Sequence, residues 1–335
     1  MSSETSTKAT VIGLDIGTSR IVAARQDNGK ERIESQLNAF VSIPYSKLTE
    51  TSLSRENIPH TVSDGQIVIL GNESARMADL LGREVRRPMM RGVLNAGEPD
   101  GLPLIEELIG SVLGEDPAEG TSLCFSVPAP ALGAEENLTY HEATIRQILT
   151  QIGYRDVRSI NEGVAVVYSD LADTNYTGIG ISCGGGLCNV SLAYMSVPVL
   201  SFSVAKGGDF IDSSAAGVTG ELVNRVRLLK EENFHFNGHF SDKVQQALTV
   251  YYDDMIQSVV QGLRDAFSAS RNVPKFGRPV PLVLSGGGVM PQGFRERFEK
   301  ALNSTTLPVT VSEVRMARSP LETTARGALV AALSE

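Results

Sequence analysis

The chain has 335 residues, 41% of them hydrophobic, and a formal net charge of −9. That length supports a sizeable core and two domains of ordinary size, and the acidic balance argues against a nucleic-acid-binding surface. Three cysteines, Cys124, Cys183 and Cys188, form no CxxC pair and fit a reducing compartment; Cys183 and Cys188 read either as reactive thiols or as small buried side chains.

The N-terminal stretch MSSETSTKAT is polar and lacks the apolar core of a signal peptide. No segment has the length of a membrane span, and neither end carries an amphipathic membrane anchor. A soluble, cytoplasmic protein is expected.

Residues Thr10 to Ala24, TVIGLDIGTSRIVAA, spell a β-hairpin: an apolar run, a Gly-Thr-Ser turn and a second apolar run. GQIVILGNESARMADLLG reads as a strand leading into a helix, and LIEELIGSVLG (Leu104–Gly114) has helical periodicity. SLCFSVPAP (Ser122–Pro130) is a buried strand ended by prolines. EENLTYHEATIRQILTQIG is an amphipathic helix with Gly153 as its C-terminal cap. DVRSINEGVAVVYSDL gives a short strand and then a helix from near Asn161.

After Asp173 the same grammar restarts. Gly178 to Phe202 reads as strand, glycine turn, strand, strand. GGDFIDSSAAGVTGELVNRVRLLKEE reads as a turn leading into one long helix, and SDKVQQALTVYYDDMIQSVVQGLRDAFSAS as a further helix. PLVLSGGGVM is a strand running into a second glycine triplet, and SPLETTARGALVAALSE closes the chain as a helix. Each half therefore opens with a glycine-turned hairpin, a pseudo-repeat rather than a short-period array.

Four stretches carry chemistry. In Gly13–Ser19, Asp15 precedes a glycine turn; such a carboxylate can hold a metal through water while turn amides face phosphate oxygens. Taken alone, the stretch fits any β-turn equally well. Gly184-Gly185-Gly186 offers a second set of amides, and Ser285-Gly286-Gly287-Gly288 lets a flat base or ribose approach the backbone. Gly207-Gly208-Asp209 opens a helix whose N-terminal dipole favours an anion. Each is weak by itself; their order and spacing together are specific.

In that order the chain resembles the actin superfamily, which also holds the seventy-kilodalton heat-shock chaperones and the sugar kinases. The resemblance runs through phosphate loop one (Asp15–Ser19), connecting helix one (Asn161-Glu162-Gly163-Val164-Ala165), phosphate loop two (Gly184–Gly186), the adenosine loop (Ser285–Gly288) and connecting helix two (Ala325-Arg326-Gly327-Ala328). ILGNESARMADLLGR, RRPMMRGVL and SPLETTARGALVAAL are similar to the bacterial actins of the MreB type. The resemblance implies an α/β, two-lobed actin-like ATPase fold, each lobe built on a ribonuclease-H-like mixed sheet with flanking helices. It places the first lobe core in 1–31, 93–171 and 321–335 and its small subdomain in 32–92. The second lobe core falls in 172–228 and 249–320, with a reduced small subdomain in 229–248.

The same resemblance implies ATP or ADP and a magnesium ion between the lobes. Asp15 becomes the metal-organising carboxylate. Gly17, Thr18 and Ser19 meet the phosphates from one side, and Gly184, Gly185 and Gly186 from the other. Gly208 and Asp209 fall near the ribose, and Gly286, Gly287 and Gly288 under the adenosine. A catalytic Glu or Gln orienting the attacking water, counted back from Glu162, falls on His141 or Glu142; Glu142 suits the chemistry, and a solvated helix-face carboxylate is the equal alternative.

Three features depart from the pattern. Ser182 stands where the family has aspartate, removing a charge from the metal site, so hydrolysis should suffer more than binding. Leu187 stands where it has threonine. The second small subdomain shrinks to FHFNGHF and its flanks, where His235 and His239 have a metal-like spacing but Asn237-Gly238 reads as a turn. The expected function is a nucleotide-dependent filament of self-associating copies, with ATP hydrolysis possible but weakened. The alternatives are a non-filamentous nucleotide-binding scaffold and a chaperone-like ATPase.

Overall fold

The computed structural model describes residues 10–334 except 28, 115–116, 119, 133–137, 237, 240–241, 271–273 and 275. The first three residues of the expected EENLTYHEA helix, and Asn237 of the expected turn, lie outside the described residues.

The sequence pattern places two mixed sheets side by side. The first runs β10-β9-β1-β2-β3, with β1 (Val11–Ile16), β2 (Arg20–Asp27), β3 (Lys30–Leu37), β9 (Ser122–Val127) and β10 (Asp156–Asn161). β1 and β2 form the expected hairpin, paired antiparallel through Ile16↔Ile21, and β9 lies parallel to β1. Charged, half-exposed β3 (KERIESQL) ends the sheet, the composition that suits an edge strand. β3 continues across the boundary expected at residue 31.

The second sheet runs β13-β12-β11-β14-β15, with β11 (Gly178–Cys183), β12 (Cys188–Tyr194), β13 (Val197–Val204), β14 (Val280–Ser285) and β15 (Val311–Met316). β11 and β14 are parallel neighbours, buried at every position, which is why both read as mainly apolar runs without alternation. A smaller sheet, β4-β6-β5, comprises β4 (Phe40–Pro44), β5 (His60–Ser63) and β6 (Gln66–Leu70), flanked by α1 (Lys47–Arg55) and α2 (Asn72–Leu80). The short pair β7 (Met89–Met90) and β8 (Val93–Leu94) leads into α3 (Gly101–Leu113).

Two helices exchange places between the sheets. α5 (Glu162–Asp170) follows β10 of the first sheet but packs on β11 and β12 of the second; α10 (Thr323–Leu333) follows the second sheet but packs on β1 and β9 of the first. They cross with their backbones in contact. A Cβ on Gly327 would lie 1.8 Å from the Ala165 carbonyl oxygen, and one on Gly13 would lie 2.1 Å from that of Ala325. These glycines are required by close approach rather than by backbone angle.

α4 (Leu138–Ile152) covers the first sheet and ends at Gly153, whose φ is +119°. The long helix expected after Gly208 is broken. Gly220 caps α6 (Gly208–Thr219) at φ +77°, and a second helix, α7 (Val223–Asn233), follows. Left-handed glycine is a common helix stop, and it turns the chain so that α7 packs back on α6. After α7, Phe234 stacks on Tyr252 of α8 (Lys243–Ala269) and Phe236 meets the same ring edge-on, next to Phe294 at the start of α9 (Phe294–Asn303).

Candidate functional site

The turns of the two hairpins meet. A Cβ on Gly185 would lie 2.0 Å from Ser19 Oγ, and one on Gly186 would lie 2.5 Å from Thr18 Oγ1. Around this meeting point the lobes enclose a cavity of about 750 Å³, within the range of small-molecule sites. Asp15, Gly17, Thr18 and Ser19 line it from the first lobe. Gly184–Gly186, Gly208, Asp209 and Gly286–Gly288 line it from the second. The structure thus brings together every expected site residue except Glu142. Among the described residues, the N–H groups of Thr18, Ser19, Gly185 and Gly186 donate to no protein acceptor. Unspent amides on glycine-rich turns fit an anionic group.

Glu142 is elsewhere. It sits on α4, outside the cavity lining. Its carboxylate accepts from Ser159 Oγ at 2.6 Å and from Arg146 at 3.0 Å. The Ser159 hydrogen bond, with Arg146 beside it, holds its pKa below the usual value. Glu162 lines the cavity instead. It is the first residue of α5, whose start is capped by Asn161 Oδ1 accepting from Gly163 N. The readable signal was strand direction. β1, β9 and β10 run parallel, with Leu14 beside Phe125 and Val127 beside Asn161. The residues just beyond them, Asp15 and Glu162, therefore emerge at one edge, where α/β sheets bind ligands.

These two carboxylates dominate the electrostatics. Asp15 Oδ1 accepts from Ser126 Oγ at 2.6 Å; burial pushes its pKa up to about 6, against that hydrogen bond. Burial, and then the charge of Asp15, push Glu162 up to about 8, opposed by hydrogen bonds from Ser182 and Asn189. Ser182 is buried, and its Oγ donates to Glu162 Oε2 at 3.2 Å. An acidic pair of this kind, with phosphate oxygens as further ligands, fits a magnesium ion, which takes one or two carboxylates and keeps its remaining positions for phosphate and water. Among the described residues no cluster of three or more His, Cys, Asp or Glu side chains is placed to hold a metal by protein groups alone; His235 and His239 are part of none.

Leu187 is buried, and a Cβ on Gly92, whose φ is +78°, would lie 2.5 Å from Leu187 Cδ1. At this position, where the resemblance implies threonine, the leucine makes an apolar contact with Gly92, which closes the segment 83–92. That segment straps the cleft. Arg83 O accepts from Asn224 Nδ2 at 3.0 Å, and Gly92 N donates to Thr18 Oγ1 at 2.9 Å. Between them Arg87 Nη1 reaches Ser19 Oγ at 3.1 Å and both oxygens of Asp209, at 2.7 and 2.8 Å. Asp209 also pairs with Arg227 at 3.2 Å; its N–H donates to the Gly185 oxygen at 2.8 Å. Asp209 is thus tied to the hairpin turns. Asp212, fully buried, pairs with Arg227 and Lys230. Arg87 and Arg227 went unnoticed in the sequence, because their partners lie on other elements.

Among the described residues no helix is long and apolar enough to cross a membrane. A model of the volactin family matches residues 10–332. No curated protein sequence matches the chain. Solved structures share the fold, among them the three that follow. MamK in its double helical filament aligns with a TM-score of 0.73 at 16% identity, over 97% of this chain and 99% of that one. MreB 5 of Spiroplasma citri bound to AMPPNP gives 0.66 at 12% identity, over 96% and 95%. The ethanolamine utilization protein EutJ from Carboxydothermus hydrogenoformans gives 0.54 at 16% identity, over 96% and 89%. The fold is therefore the two-lobed actin-like one.

Proposed function

The chain belongs to the volactin family, and on that premise we propose that it binds ATP or ADP with magnesium between its lobes, assembles with its own copies into filaments and hydrolyses ATP slowly. The observation that carries the nucleotide reading is the meeting of two turns with unspent amides beside a buried carboxylate pair, in a cavity of about 750 Å³. The likeness to a MamK filament and to an AMPPNP-bound MreB supports the nucleotide and the self-association.

In this reading the amides of Thr18, Ser19, Gly185 and Gly186 hold the phosphates, and Gly286–Gly288 lie against the adenosine. Asp15, with Glu162, would hold the magnesium ion through its waters; when bound, that ion neutralises charge on the phosphates. Glu162, rather than Glu142, stands where an attacking water would be oriented. One feature makes hydrolysis slow: Ser182 donates to Glu162 and adds no charge beside the metal.

Titration calorimetry with ADP and AMPPNP in magnesium tests binding, and absence of heat at millimolar ligand refutes it. Light scattering and negative-stain microscopy with ATP, across salt concentrations, test assembly: a heterologous contact that does not close propagates into a filament. A second reading, a nucleotide-binding scaffold that does not polymerise, draws on Ser182 and Leu187, both of which subtract from catalysis; monomers persisting with ATP bound would establish it.

A further inference from the structure

Arg87 sits at the junction of three parts of the molecule. It belongs to the 83–92 strap, touches the first hairpin turn at Ser19 and reaches the second lobe at Asp209. Its side chain is largely buried yet lines the cavity. All of these contacts use Nη1; among the described residues its Nε and Nη2 make no hydrogen bond. Ser19, its first partner, is the residue against which Gly185 packs. The guanidinium therefore stands at the point where the two sets of turn amides converge, with two donor nitrogens unspent.

The charges around it are unbalanced. Arg87, Arg227 and Lys230 share two carboxylates, Asp209 and Asp212. Arg227 bridges both acids, so Asp209 keeps a cationic partner when Arg87 leaves it. The strap is held on both sides of Arg87, through Asn224 and Thr18, so the side chain can change partner while its backbone stays in place. A guanidinium fork matches phosphate oxygens in two parallel hydrogen bonds and gains more from a doubly charged group than from one carboxylate.

We propose that Arg87 distinguishes a nucleoside triphosphate from a diphosphate, its guanidinium exchanging Asp209 for the terminal phosphate between the two hairpin turns. This rests on the nucleotide reading above and deepens it. Phosphate occupancy then decides whether the strap is tied to Asp209 of the second lobe or to the ligand, which couples the nucleotide state to the contact between lobes.

Calorimetric titrations of wild type, Arg87→Ala, Arg87→Lys and Asp209→Asn with AMPPNP and with ADP, all in magnesium, test this. Arg87→Ala is expected to lower AMPPNP affinity about tenfold or more while changing ADP affinity by less than about threefold. Arg87→Lys should fall between, since it keeps the charge and loses the fork. Asp209→Asn, which removes the competing carboxylate, should raise the ratio of AMPPNP to ADP affinity. Equal changes for the two nucleotides in Arg87→Ala and Asp209→Asn would overturn the proposal and leave Arg87 as an interlobe clasp. Wild type that binds neither nucleotide overturns the underlying reading as well. Circular dichroism checks folding; should Arg87→Ala be unfolded, the Arg87→Lys ratio decides, and an unchanged ratio there refutes the proposal.

Discussion

Ser182→Asp puts a carboxylate at a position where this structure already has an acid in contact. Ser182 Oγ is 3.2 Å from Glu162 Oε2, so an aspartate there sets two carboxylates about 4 Å apart, a repulsion of about 4 kcal/mol at an effective dielectric of 20. The ligand-free protein avoids that repulsion while Glu162 keeps its proton, and its pKa is already about 8. The folded value is raised, so stability is lost as pH rises through it. The new charge raises it further and leaves the unfolded value unchanged, so the extra cost appears only above pH 8. Holding the proton costs about 1.4 kcal/mol per pH unit, which gives about 2 kcal/mol at about pH 9.5, below the repulsion itself. Thermal and urea melts of ligand-free wild type, Ser182→Asp and the neutral Ser182→Asn, from neutral to alkaline pH, measure it. Relative to Ser182→Asn, Ser182→Asp should lose a further few degrees of melting temperature between neutral and alkaline pH, and that pH-dependent loss should disappear in a Glu162→Gln background. A deficit independent of pH, or a pH-dependent loss surviving Glu162→Gln, would refute the reasoning. With ATP and magnesium, the same Ser182→Asp variant should release phosphate faster than wild type in single turnover.

His141 is buried, neither ring nitrogen has a hydrogen-bond partner among the described residues, and burial lowers its pKa to about 4. The depressed value means that stability is present above the ordinary histidine pKa and is lost as pH falls from there through the folded value, by up to about 3 kcal/mol. His141→Leu should flatten acid melting in that window, and unchanged acid sensitivity counts against the assignment. Glu142→Ala should leave nucleotide affinity and phosphate release as they are and cost at most about 1 kcal/mol of stability, since its partners are half-exposed; a drop in single-turnover release would return Glu142 to the site. Gly327→Ala, whose Cβ would meet the Ala165 carbonyl oxygen at 1.8 Å, should destabilise by about 3 kcal/mol or fail to fold. Gly217→Ala on α6, where a Cβ meets open space, should gain up to about 1 kcal/mol in a urea melt.

Much of the site was written in local sequence. Gly17-Thr18-Ser19 and Gly184-Gly185-Gly186 are turns because glycine and short polar residues interrupt β-prone runs, and both became the hairpin tips that line the cavity. Asn161 caps α5 where the sequence placed a helix start. Such features depend on residues within a few positions of one another, and so spacing reveals them.

What needed the tertiary structure was every pairing between segments. Glu142 and Glu162 are equally good acids on paper, but only Glu162 lies beside Asp15, because three parallel strands end together there. The break at Gly220 hid inside a periodic run, since a glycine in a helix pattern stops the helix only where the chain has reason to turn. Arg87 meets Asp209 across 122 positions, and Leu187 packs on Gly92 of the same strap. Long-range contacts of this kind come from how the two sheets and the strap close on one another, and no periodicity along the chain records them.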